Sequence, residues 1–294
     1  MSMKPDFNKG LLLTSLGSFW WGFIGVIYFE YVSFIGHVEL VVHRCLWTAI
    51  MLIFTTTLFS KWKLFLTTSS NKSYVFYLLI SGFLIFINWA IWIYAVATER
   101  IIDASFGYFI MPIISVLLGY IFFKENLNRK RTFSILLVLI SITILIFFNL
   151  KDLPWVGLIV ALSWAFYNLV RKKINVDTDI GLLIESLYIL PFAIITFYFI
   201  SKNGFNDFSF SNIELSLLLI LAGPMTVIPL FLYVRGVELI GLGPTGMIFY
   251  ITPTLQFILG YFYYNEEFSL VKFLSFVIIW IAVIIYLKDL YENN

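Results

Sequence analysis

The chain has 294 residues, of which 61% are hydrophobic, 20% aromatic and only 12% charged. Soluble globular proteins average roughly 45–50% apolar and about 25% charged residues, so this composition excludes a water-soluble enzyme and points to lipid as the solvent. The balance of 19 basic against 17 acidic residues excludes a nucleic-acid partner. One cysteine, Cys45, and two histidines leave neither an internal disulfide nor a metal-ligand set, and no cofactor is expected.

Residues 1–9 form a short polar tail without a small-residue cleavage pattern, so the first apolar stretch is expected to remain in the protein. A bilayer crossing takes about 20 mainly apolar residues. Ten such stretches follow in order, at 10–29, 39–59, 74–98, 102–123, 132–149, 154–171, 180–200, 212–239, 244–264 and 270–287. Membrane strands would alternate apolar and polar residues, whereas Ile135 to Phe148 is apolar on every side. The expectation is an all-α integral membrane protein of ten transmembrane helices joined by short polar connections, among them Lys61 to Ser73 and Lys172 to Asp179.

Sorting the basic residues between the two faces tests this count, because cytoplasmic loops carry the excess of Lys and Arg. With the N-terminus inside, the cytoplasmic face receives thirteen, including Lys61, Lys124, Arg129, Lys130, Arg131, Arg171, Lys172, Lys173 and Lys288. The outer face receives four, Arg100, Lys151, Lys202 and Lys272, and two more, Arg44 and Arg235, fall within spans. Both termini are therefore expected in the cytoplasm.

The chain also repeats itself. Asp103 to Leu127 overlays Pro244 to Phe268 at a constant offset of 141, so that Pro112 falls on Pro253, Gly119 on Gly260, Tyr120 on Tyr261 and Glu125 on Glu266. These segments are the fourth and ninth crossings, five apart, so they enter the membrane from opposite sides. Two inverted five-helix halves, 1–149 and 150–294, are expected, an arrangement that builds a central cavity with interchangeable gates in secondary transporters.

Several of these stretches resemble a known family. Glu39 to Trp47 (ELVVHRCLW), Asn88-Trp89, Ala104 to Glu125, Ala161 to Ile174 (ALSWAFYNLVRKKI) and Gly181 to Pro191 (GLLIESLYILP) are similar, in the same order, to RarD-type members of the EamA family in the drug/metabolite transporter superfamily. The resemblance implies ten helices in two inverted halves around a central cavity, a bacterial inner membrane, and transport of a small metabolite or drug-like molecule, with efflux favoured.

An ionisable residue inside a span needs a partner, a wet cavity or an interface. On the second span Glu39, His43 and Trp47 share a face with Arg44 adjacent. They read either as an interfacial pair with a snorkelling arginine, or as an outer gate and anion contact in which His43 senses pH. Glu185 in the seventh span has Arg235 of the eighth as a candidate partner; the alternatives are a static ion pair and a residue that carries a coupling proton. Glu125 and Glu266 end their helices, where the helix dipole opposes them, and are expected to anchor loops.

Asn88 and Gln256 lie near the midplane and read either as substrate contacts or as interhelical glue. With them, Trp92, Tyr108, Trp164, Tyr167 and Tyr250 are the expected lining of a partly apolar cavity. Pro112, Pro224, Pro229 and Pro253 are candidate hinges, the eighth span being the one expected to bend most and Pro112 and Pro253 to bend symmetrically.

Gly241, Gly243 and Gly246 spell the dinucleotide fingerprint, but that motif needs a preceding strand. A tight turn with Pro244 at the first helical position is expected instead. The functional expectation is an alternating-access transporter whose partners are a small-molecule substrate, the bilayer and a possible coupling proton. An intramembrane enzyme acting on a lipid-linked substrate is the alternative, with only His43 and Glu39 resembling a dyad. The oligomeric state stays open.

Overall fold

The computed structural model describes residues 5–97, 101–149, 155–174, 176–209, 211–263 and 270–293. Within them every regular element is helical. The first crossing is α1 (Pro5–Phe19), a five-residue π-helical turn (Trp20–Ile24) and α2 (Gly25–Tyr31). Then come α3 (His37–Leu58), α4 (Trp62–Ser70), α5 (Lys72–Ala97), α6 (Ile101–Phe123) and α7 (Arg129–Asn149). The remainder is α8 (Trp155–Lys173), α9 (Thr178–Lys202), α10 (Ile213–Ile240), α11 (Leu242–Ile248), α12 (Ile251–Phe262) and α13 (Leu270–Asn293).

Seven helical stretches among the described residues are long and apolar enough to cross a membrane, and the shorter apolar Gly107–Phe123 of α6 adds to them. The three that fall short of the ten expected each have a local reason. The described side chains of α6 begin only at Gly107, α8 closes on Arg171, Lys172 and Lys173, and the ninth stretch is divided into α11 and α12. The segment read as a bare connection, Lys61 to Ser73, instead forms the short α4, whose Trp62 and Phe65 rings meet edge to face.

The molecule wears its apolar groups outside. Phe34 and Phe147 are 70% and 79% exposed, and Phe54, Phe83, Phe192 and Ile284 are exposed with them. Its interior holds Ser81, Asn88, Ser134, Ser141, Arg171, Glu185 and Asp289. This inversion of the water-soluble pattern is what hydrocarbon demands, where helices associate through close packing and interhelical hydrogen bonds.

Close approach requires glycine. α1 packs on α10, α3 on α10 and α9, α5 on α8 and α9, α6 on α8 and α11, α7 on α13, and α12 on the π-helical turn. At the α3–α10 crossing a Cβ on Gly223 would lie 2.6 Å from the Trp47 carbonyl oxygen, and at the turn a Cβ on Gly22 would lie 2.8 Å from that of Thr252. Gly223→Ala is expected to force the two backbones apart at about 1–3 kcal/mol, read as a lower unfolding temperature in detergent; an unchanged temperature would show that the crossing has slack.

The prolines behave unequally. α10 runs without interruption through Pro224 and Pro229, and α6 through Pro112. The break comes at Phe249–Tyr250, just before Pro253. Because Pro253 has no N–H to give to the Phe249 carbonyl, that oxygen takes the Thr252 N–H at 2.9 Å instead. Pro112 thus lies in an unbroken helix whereas its repeat mate Pro253 follows a break in the ninth stretch.

Candidate functional site

A cavity of about 500 Å3 opens among α2, α3, α5, α6, α8, α10 and α12 and the π-helical turn. Helical irregularity makes room for it. The π turn sets Trp21 into the wall, and the break before Pro253 sets Phe249 opposite, the two rings 6.1 Å apart. Trp21 also meets Trp164 edge-on at 5.3 Å and Tyr233 at 5.6 Å, and Tyr233 meets Phe249 at 5.5 Å. These four rings form an aromatic floor. The mouth lies where α2 passes into α3, lined by Glu30, Ser33 and His37.

Of the residues expected to line a cavity, Asn88, Trp92, Tyr108, Trp164 and Gln256 do so. Asn88 joins helices and borders the cavity: its amide donates to the Val160 carbonyl at 3.0 Å and the Ser163 hydroxyl at 3.1 Å, and the residue stands in the cavity wall. Tyr167 and Tyr250 do not line it. Tyr250 donates to the Phe109 carbonyl at 2.7 Å within a separate apolar cluster, and Tyr167 points away to Glu185. An all-apolar helix does not reveal which face turns inward, and that is why two of the seven went astray.

Arg44 is turned into the cavity instead of reaching along the surface. Its guanidinium lies 4.9 Å from the Phe29 ring centre and 5.0 Å from that of Trp89, and its Nε donates to Thr226 Oγ1 at 3.1 Å. Cation–π contact offsets part of the burial of such a charge. Its neighbours Glu39 and His43 are buried outside the cavity. Glu39 Oε1 accepts the Asp207 and Phe208 backbone N–H groups at 2.8 and 3.3 Å, and His43 Nε2 lies 3.5 Å from it. Trp47 donates to His43 Nδ1 at 3.2 Å, which places the proton of a neutral imidazole on Nε2. The pair pins the loop between α9 and α10 to α3.

Below the floor the polar residues are knitted together. Glu185 is buried against Arg171, not Arg235, which corrects the partner expected from depth. Its Oε1 accepts Ser81 Oγ at 2.5 Å and faces Arg171 Nη1 at 3.5 Å, and its Oε2 accepts the Tyr167 hydroxyl at 3.1 Å. Arg171 Nη2 continues to Glu238 at 3.6 Å and donates to the Thr178 carbonyl at 3.2 Å. Arg235 is 41% exposed and pairs with Glu238 one turn along its own helix at 2.8 Å. A void of about 10 Å3, the space of one water, separates Glu185 from Trp89 and the cavity.

At the same end Lys61 bridges Asp177 at 3.3 Å and Asp179 at 2.8 Å. Burial works against the lysine charge, but the hydrogen bond and charge of Asp179, with those of Asp177, hold its pKa above the ordinary value. Asp177 is held above the usual carboxylate range by its hydrogen bond with Asp179, then by burial and that neighbour's charge.

The glycine motif has found an anion after all, one supplied by the protein. Glu125 accepts the Leu242 and Gly243 N–H groups, both at 2.8 Å, at the start of α11. Gly241 has φ +96°, which favours glycine, and a Cβ on Gly243 would meet Glu125 Oε2 at 2.9 Å and the Tyr286 hydroxyl at 2.6 Å. Glu125 therefore anchors as expected, but to a helix N-terminus and not to the basic residues that follow it. Pro244 sits in the first turn, two positions later than expected. Glu266 lies outside the described residues. Sequence reasoning missed Phe29 and Thr226; their spacing on either side of Arg44 carried no signal.

An apolar exterior, an aromatic cavity with few polar groups and a knitted end define a multi-pass membrane transporter. The family profile of the EamA-like transporters matches residues 8–147 and 154–288, and the chain belongs to that family. It is 32% identical to the protein RarD of Escherichia coli K12 over 96% of this chain and 95% of that one. An uncharacterized transporter of Vibrio cholerae is 33% identical, with 98% and 96% covered, and the uncharacterized transporter YojE of Bacillus subtilis 30%, with 95% and 93% covered. A crystal structure 12% identical in sequence superposes with a TM-score of 0.69, covering 95% of this chain and 97% of the other, which supports the fold. Such relatives place the chain in a bacterial inner membrane.

Proposed function

We propose that the chain is a secondary transporter that moves a small metabolite or drug-like molecule through this cavity by alternating access, and that its physiological direction is efflux. The observation that carries the reading is the exchange of helix contacts. α1 on α10 is matched by α8 on α5, α3 on α10 by α9 on α5, and α6 on α8 by α12 on the π-helical turn, while α3–α9, α7–α13 and α6–α11 pair with themselves. This exchange supports a reading as ten crossings in two inverted halves, 1–149 and 150–294, alongside the 141-residue repeat. A cavity shared by such halves can open to either side by rocking one against the other.

With both termini in the cytoplasm, the cavity mouth faces outward and the Arg171 network closes the inner end. The partners of Glu185 support a static ion pair between α8 and α9; a coupling proton has its nearest candidate there. The enzyme reading loses support, because His43 and Glu39 do not border the cavity. Counterflow in proteoliposomes tests the proposal: labelled solute accumulating unchanged is expected, and product formation without accumulation would overturn it. Cysteines at 129 and 272 should be labelled from opposite faces of intact cells; labelling from one face would end the inverted topology.

A further inference from the structure

We infer that the cavity binds an organic anion, a monocarboxylate with an aromatic or branched apolar body, and that Arg44 is the group that receives the carboxylate. The inference rests on the transport reading of the same cavity and names its substrate class. Arg44 is a permanent positive charge in the wall of a membrane-embedded cavity, and no carboxylate among the described residues lies within 4.0 Å of it. Among the described residues the two buried arginines each have one: Arg131 has Asp289 at 2.8 Å, and Arg171 has Glu185 and Glu238. The exception faces the ligand space.

Its geometry is that of a receptor for a carboxylate. Thr226, itself fixed by donating to the Ala222 carbonyl at 2.8 Å, occupies Nε. Phe29 and Trp89 hold the guanidinium plane. The terminal nitrogens Nη1 and Nη2 have no hydrogen-bond partner among the described residues, so the end of the fork is free to take two oxygens. Around it Trp21, Trp92, Tyr108 and Phe249 offer faces to an apolar body. Among the described residues the one carboxylate that borders the cavity, Glu30, is exposed at the mouth, where water screens it.

The test uses the purified full chain and three probes of one shape, 3-phenylpropionate, its amide and phenethylamine, with binding followed by thermal shift and isothermal titration. The carboxylate is expected to bind at least ten-fold more tightly than the amide or the amine. Arg44→Gln should abolish that preference while leaving the amide affinity within two-fold, and Arg44→Lys should retain part of it. Equal binding of carboxylate and amide by the wild type, no binding of the carboxylate, or a preference that survives Arg44→Gln would overturn the inference. So would equal stabilisation by chloride or inorganic phosphate alone, which would mark a small-ion site. The wild-type comparison stands even if the variants do not fold. Failure of the transport reading is distinguishable, since it would show as carboxylate binding without counterflow.

Discussion

Arg171→Ala is expected to be the most damaging single substitution in the protein. It leaves Glu185 as a buried carboxylate with no cation facing it, while Glu238 keeps Arg235 at 2.8 Å, and removing one partner from a buried pair typically costs about 3–5 kcal/mol. Glu185→Ala should cost less, because Glu238 at 3.6 Å remains to face Arg171, and Ser81 and Tyr167 lose an acceptor but no charge of their own. The order Arg171→Ala, then Glu185→Ala, then Arg235→Ala is read from unfolding temperatures in detergent or from folded yield. Arg235 comes last because it is half exposed and its pair lies within one helix. The double variant Arg171→Met with Glu185→Leu should recover part of the loss, since an apolar pair replaces two charges. Equal losses for Arg171→Ala and Arg235→Ala would contradict the network described here.

Glu125→Ala should rank next. It removes two charge-assisted hydrogen bonds to the Leu242 and Gly243 N–H groups, each contributing about 1.5–3 kcal/mol, and leaves the N-terminus of α11 open at the junction of the two halves. Glu125→Gln keeps one acceptor oxygen and should fall between the wild type and alanine. An unfolding temperature in detergent unchanged by Glu125→Ala would contradict the anchoring described here.

The all-helical membrane architecture was legible because hydrocarbon imposes a coarse rule, about 20 apolar residues per crossing. Arg44, Asn88, Trp92, Tyr108, Trp164 and Gln256 were recognisable as unusual for their depth or chemistry. Partners were harder. Glu185 was matched to Arg235 by depth alone, whereas α8 and α9 both pack on α5 and meet there through Arg171 and Glu185; the short link between α8 and α9 was the signal that pointed to Arg171. Tyr167 and Tyr250 failed for another reason: a helix apolar on every side has no periodicity to say which face looks inward. The break in the ninth stretch was equally obscure, since seven prolines lie within the expected spans, five of them past the first residue, and only the surroundings of Pro253 let its helix divide among the described residues.

The charged network from Ser81 to Arg235 stands at one end of the cavity, and the mouth at Glu30, Ser33 and His37 at the other. On the alternating-access reading proposed above, opening the charged end would part Arg171 from Glu185 and Glu238, a cost that the mouth does not carry. The two strokes of such a cycle would be unequal in height, and the carrier would rest open at the mouth.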